Sequence, residues 1–167
     1  MRIDELVSEV GRIAECKLLP PVGIPKVDPP NEIPADLLRF YELCGGAELF
    51  LSADFGFRVV APTELLPANP ILLGDYYLKH KVEIDADISA AWYLICRGGG
   101  PEENVVINLD PKRPGRCYDA FHEIYATGDS RIVAQSFSEL VASLLAAKGK
   151  TLFWQMPGFR ELGFAYD

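Results

Sequence analysis

Residues 33–46, Ile-Pro-Ala-Asp-Leu-Leu-Arg-Phe-Tyr-Glu-Leu-Cys-Gly-Gly, limit more than any other segment what this chain can become. Proline is tolerated at a first helical position, where its missing N–H costs nothing and its φ is already helical, so Pro34 marks a start. Leu37, Leu38, Phe40, Tyr41 and Cys44 recur at helical spacing and form one apolar stripe. Gly45 and Gly46 can adopt the positive φ that closes a helix C-terminus. The segment is a short helix with one face to bury and no group suited to catalysis. It needs a sheet or other helices to cover that face.

Further along, the chain supplies both. Ile3, Leu6, Val7, Val10, Ile13 and Ala14 give residues 3–16 an amphipathic helical pattern, with Asp4 and Glu5 suited to its N-terminal dipole. Five prolines between residues 18 and 30 forbid regular helix and leave an extended connector. Strands are expected at 47–51 and 55–60, joined as a hairpin through 52–54. A helical turn capped by Thr63 is expected at 64–66, irregular backbone at 68–75 and no assignable element at 76–87. Ile84, Ala86 and Ile88 alternate with Asp85 and Asp87, which suggests an extended edge there with its acids on one face.

Three strands then follow in close order. The nearly continuous apolar run 92–96 reads as central, and 105–109 and 116–121 follow after turns rich in Gly and Pro. After a short strand at 132–134, Ser136 with Glu139 makes a capping box. Phe137, Leu140, Val141, Leu144 and Leu145 form the buried stripe of that helix, which Gly149 ends. Residues 150–167 hold Phe153, Trp154, Met156, Phe159, Phe164 and Tyr166. So many large apolar groups are expected to pack back on the domain. The organisation is one domain over 1–149 with an aromatic C-terminal extension over 150–167. A surface for a partner or a second copy is the alternative for that extension.

At 167 residues a chain buries roughly 70% of its extended surface and needs no metal or disulfide for stability. The four cysteines are scattered without a CxxC pair, and neither histidine stands near them at metal-ligand spacing, so they read as reduced core thiols. No apolar run reaches the ~20 residues of a membrane helix, and the acidic start of the chain does not read as a signal peptide. The cytoplasm is the default location. The net charge of −8 argues against direct nucleic-acid binding and permits a basic protein partner.

A search for chemistry finds little. Gly98–Gly100 is followed by Pro101, Glu102 and Glu103, where a phosphate loop needs a lysine and a helix, so a hairpin turn is the better reading. Asp85 and Asp87 lack the further oxygen ligands and the glycine of a calcium loop. His122 with Asp119 or Glu123 would matter only in a deep pocket with a nucleophile in reach. No catalytic residue, cofactor or metal is expected.

Taken in order, these segments resemble the SUKH superfamily of Smi/Knr-like proteins. Ile33-Pro34 through Phe40-Tyr41 to Gly45-Gly46 resembles its Ile/Leu-Pro helix, with Cys44 where the family often has Asn. Trp92, Gly98–Gly100 and Val106-Ile107-Asn108-Leu109 resemble its central hairpin, and Arg116-Cys117-Tyr118 its next strand. Residues 132–145 resemble its closing helix. The similarity spans about residues 3–147. It implies an α+β fold, a mostly antiparallel sheet with helices packed on one side. It also implies a bacterial, non-catalytic protein-binding domain, an immunity protein of a polymorphic toxin system that neutralises a basic toxin domain, such as a nuclease, by direct binding. A regulatory or scaffolding interaction module is the alternative. On the first reading Glu83, Asp85, Asp87, Glu102 and Glu103 are expected to contribute to the partner-binding surface.

Overall fold

The computed structural model describes all residues, 1–167. Seven strands form one antiparallel sheet in sequence order: β1 (Cys16–Leu18), β2 (Ala47–Leu49), β3 (Phe57–Val59), β4 (Trp92–Gly98), β5 (Asn104–Asn108), β6 (Cys117–Asp119) and β7 (Ile132–Ala134). Neighbours in sequence are neighbours in the sheet, so no crossover is needed. β4 is the central strand, as its unbroken apolar run requires, since both of its faces are covered.

The two faces bury different clusters. Three helices cover the first: α1 (Ile3–Arg12), α2 (Ala35–Leu43) and α6 (Phe137–Ala147). They join Tyr93, Ile95, Val105, Ile107 and Val133 in a core of 30 buried residues. Phe40 of α2 meets Phe137 of α6 edge to face at 5.0 Å. Asp36 ties the same two helices: its Oδ2 accepts from the Ser138 backbone N–H (2.8 Å) and hydroxyl (2.9 Å) in the first turn of α6. The Ser136 cap is present, with the Glu139 N–H donating to Ser136 Oγ at 3.1 Å, but the expected box is not closed, because Glu139 Oε2 accepts from the Gln135 N–H (3.1 Å) and not from that of Ser136.

On the second face Trp92, Leu94, Val106, Tyr118 and Ile132 form a smaller cluster with Ala68, Ala120, Tyr125 and Ala165. Three short helices belong to this side: α3 (Ala68–Leu73), α4 (Asp75–Lys79) and α5 (Lys81–Asp85). The C-terminal segment runs antiparallel along β7. The Ile132 N–H donates to Gly163 O (2.9 Å) and the Ala165 N–H to Ser130 O (2.8 Å). That pairing covers an edge that would otherwise expose free N–H and C=O groups. Earlier in the same segment, Trp154 is buried in the larger cluster, with Phe153 and Phe159 packed against it.

Several local expectations are corrected. α1 stops at Arg12, because the chain leaves it to form β1, a three-residue edge strand lying where the expected helix over 3–16 meets the connector. Pro34 is the residue before α2, with extended ψ of 150°, and the first helical residue is Ala35. Gly45 and Gly46 do not cap α2, whose C-cap is Cys44 in extended backbone. They serve close approach: a Cβ on Gly45 would lie 2.2 Å from Pro20 O, and Gly46 has φ +124°. This lets Gly45 N donate to Leu19 O and Leu19 N donate to Gly46 O, extending the β1–β2 pairing. Lys148, in left-handed backbone, ends α6 one residue before Gly149. The β2–β3 turn spans 50–56, wider than expected, and a 3-10 turn at Pro62–Glu64 replaces the one expected at 64–66. Residues 68–85 are helical, and the extended alternation expected around Asp85 and Asp87 is absent, because Asp85 ends α5 and Asp87 precedes a 3-10 turn, Ile88–Ala91.

Candidate functional site

The excursion between β3 and β4 departs most from ordinary burial. α3 begins after Pro67, and Gly74 (φ +54°) separates it from α4. His80 separates α4 from α5. Helices of five or six residues cannot hold themselves together, since helix nucleation is costly and few hydrogen bonds follow it. This excursion is fastened from outside. Tyr125 OH donates to Asn69 Oδ1 (2.5 Å), and Asn69 Nδ2 donates to Ser89 Oγ (3.1 Å), all three residues being buried. Tyr166 OH donates to Asp87 Oδ2 (2.7 Å), joining the C-terminal segment to the end of the excursion.

With its inner side pinned, the outer side faces water. Val82 is 84% exposed, Leu78 71% and Tyr76 58%. Beside them an open groove of about 560 Å³ runs between α4–α5 and the 125–128 loop, with Tyr76, Ile84 and Tyr166 among its apolar walls and Glu83 and Asp87 among its polar ones. Exposed apolar side chains rimmed by charge mark interaction sites on soluble proteins. Residues 68–91 carry four acids and two lysines, so the excursion is net negative.

The five acids singled out by sequence fall in two places. Glu83 and Asp87 line the groove. Asp85, on the same helix as Glu83, is paired with Lys81 and accepts a hydrogen bond from Tyr77 OH (2.9 Å). The Lys81 bond, then the Tyr77 bond, hold its carboxyl below the usual carboxylate value. Burial pushes the Asp87 carboxyl up, but hydrogen bonds from Ser89 and Tyr166 outweigh it and leave the net value lowered. Glu102 and Glu103 sit in the β4–β5 turn, beyond the opposite end of β4. Seven residues of strand rise roughly 20 Å. The acids that sequence grouped on one surface therefore lie in two places, one at each end of the central strand. Sequence missed Tyr76, Leu78 and Val82, which are the apolar half of the surface. Their signal was present as large apolar residues in a stretch with no stripe to bury them.

At the Glu103 end a smaller cleft, about 80 Å³, is lined by residues that include Asn104, Asp119, Phe121 and Trp154. Asp119 accepts from the Phe121 N–H through Oδ1 and from Trp154 Nε1 through Oδ2, each at 3.0 Å. Burial raises its carboxyl above the ordinary value, against those two bonds. His122 lies on the surface outside this cleft, so Asp119, His122 and Glu123 do not assemble as an acid–base set. Of the three glycines, Gly98 ends β4 and Gly99 and Gly100 lie in the β4–β5 hairpin turn. No group of three or more His, Cys, Asp or Glu converges as metal ligands, and the four cysteines are unpaired. No helix is long and apolar enough to cross a membrane.

No protein-family model matches the chain. Over 168 aligned positions, covering all of this chain and 97% of the other, it is 36% identical to immunity protein YokJ of Bacillus subtilis (strain 168). Parts of it are also similar to UDP-N-acetylmuramate–L-alanine ligases. One from Herminiimonas arsenicoxydans is 34% identical over 89 residues, 52% of this chain and 18% of that protein. One from Aromatoleum aromaticum is 29% identical over 101 residues, 59% and 20% respectively. These partial matches span a fifth or less of the ligases, so no activity carries over from them.

Proposed function

The chain belongs to the family of immunity protein YokJ, and on that premise we propose that it neutralises a toxin protein by binding it. The single observation that carries this reading is the full-length 36% identity to a protein of that name. The molecule's physical character supports it: exposed apolar side chains on α4 and α5, an open groove beside them, and an acidic surface with a net charge of −8 over the whole chain. Negative potential of this kind steers and accelerates encounter with a basic partner.

In its finer form the reading is a SUKH-like domain over residues 1–149 with the segment 150–167 as its extension. It acts in the cytoplasm, within a polymorphic toxin system and without catalysis. The toxin is a basic domain, a nuclease being the type whose nucleic-acid groove an acidic inhibitor would fill. The excursion 68–91 is the principal contact, with Glu83, Asp85 and Asp87 beside Tyr76, Leu78 and Val82. Glu102 and Glu103 form a second contact at the other end of β4.

Co-expression with the product of the adjacent toxin-like gene tests this. The protein is expected to co-purify with that product and to restore growth to cells that express it. Absence of both binding and protection would refute the reading.

A further inference from the structure

The second face of the sheet is covered over only half its width. Its buried cluster draws on β4 to β7 and includes no residue of β1, β2 or β3. On those three strands the first and last residues turn to the large core and the middle one turns outward. The middle residues are Lys17, Glu48 and Arg58. The register sets them abreast, Lys17 opposite Glu48 and Glu48 opposite Arg58. Arg58 in turn stands opposite Arg97, an exposed residue of β4. Neighbouring strands lie ~4.8 Å apart, so the four side chains form one row about 14 Å long across the uncovered half-face. Three cations and one anion make the row net positive in a chain of net charge −8. Glu48 reaches Arg58 at 3.8 Å, and neither Lys17 nor Arg97 pairs with any acid. Like charges directly opposite on adjacent strands destabilise a sheet, so Arg58 beside Arg97 costs stability that nothing in the fold offsets.

Charge and spacing narrow the choice of occupant. A nucleic-acid backbone would set phosphates against Glu48 within the row and against the net negative charge of the chain, which disfavours it. A second copy placed face to face would bring row against row, positive on positive. An acidic strip of a protein surface fits both the charge and the flat, open shape. A guanidinium grips a carboxylate through two parallel N–H bonds, and two guanidiniums stand abreast here. We propose that the uncovered half-face over β1–β4 docks an acidic strip of the protein partner, gripped by Arg58 and Arg97. The row and the net negative excursion 68–91 lie on the same side of the sheet. Opposite charges therefore stand side by side, and a partner that matches both can seat in one orientation only. The identity of that partner as a toxin rests on the immunity reading; the charge row does not.

Two arms of one experiment separate them. In the first, the isotopically labelled full chain is titrated with capped hexaglutamate and, in parallel, with capped hexaglutamine and with octathymidylate, and followed by NMR. The Nε–H groups of Arg58 and Arg97 are expected to shift saturably with hexaglutamate alone. The double change Arg58→Gln with Arg97→Gln is expected to weaken binding of that peptide about tenfold or more. No shift, or an equal response to hexaglutamine or to octathymidylate, overturns the proposal. Self-association of the parent in sedimentation that the double change abolishes would make a second copy the occupant and overturns it too. In the second arm, melting and toxin affinity are measured together. Arg97→Gln alone is expected to raise the melting temperature by about 1–3 °C, because an opposed charge is gone. The double change is expected to lower toxin affinity about tenfold or more. A lower melting temperature for Arg97→Gln would make Arg97 a structural residue and overturns the proposal. Parent-like affinity in the double variant overturns it while leaving the immunity reading intact. If the parent itself neither binds nor protects, the immunity reading fails, and the peptide titration with the melting shift decides the row.

Discussion

The face of the sheet under α1, α2 and α6 and the face bearing α3–α5 solve the same problem in different ways. On the first, helices of nine to eleven residues each lay down an apolar stripe and close a core of 30 residues. On the second, helices of five or six residues close only nine, and the gap is made up by hydrogen bonds from Tyr125 and Tyr166. The first face hides its large apolar side chains. The second leaves Leu78 and Val82 in water. Apolar burial secures one side and polar fastening the other, and the side held by fewer buried groups is the one with surface to spare for a partner.

That contrast can be broken experimentally, and the largest effect is expected in the first core. Phe40→Ala removes a fully buried ring between Tyr41 and Phe137 and should cost about 3–5 kcal/mol in denaturant unfolding. A loss below 1 kcal/mol would mean that this core does not dominate stability. Next comes Asp36→Ala, which leaves the Ser138 N–H and hydroxyl without their acceptor. It should cost about 1–3 kcal/mol by the same measurement.

The double change Leu78→Ser with Val82→Ser should reverse the pattern. Stability should stay within about 0.5 kcal/mol, because both side chains are exposed, while toxin affinity falls about tenfold or more by calorimetry. An unaltered affinity would remove α4 and α5 from the interface.

The smallest expected effect is a pH response at Asp87. Its folded carboxyl value lies below the ordinary 3.8, so the stabilisation it gives is present above that value. It is lost as pH falls below 3.8 through the folded value. Tyr166 ring resonances should report release of the contact in that acid window, and Tyr166→Phe should abolish the response.

These differences also explain which parts could be read from sequence. The first face was legible because its helices are long enough to show a period: α6 announces itself through Ser136, Glu139 and five stripe residues. The central strand was legible because Trp92 to Cys96 is apolar without interruption. α3–α5 were not, since five residues barely exceed one turn, Pro70 lies inside α3, and Gly74 and His80 interrupt the run. β1 is three residues long and exists only because β2 pairs with it. The candidate surface was half legible. Its acids stand out in any reading of charge, but exposure of Leu78 and Val82 depends on which side of a short helix is pinned, and that is decided by Asn69, Tyr125 and Tyr166 from distant parts of the chain.

The two tryptophans lie on opposite sides of this comparison, and that has a spectroscopic consequence. Trp92 sits in the smaller cluster among Tyr118, Tyr125 and Tyr166, with ring centroids 4.6–6.0 Å away, and its indole nitrogen has no partner. Trp154 sits in the larger cluster, with its indole nitrogen bonded to a carboxylate. One indole is therefore a dry emitter fed by tyrosine energy transfer, and the other is tuned by a nearby titrating charge. With Trp92→Phe or Trp154→Phe, fluorescence alone would time the loosening of each face separately, and the protein would carry its own pair of clocks.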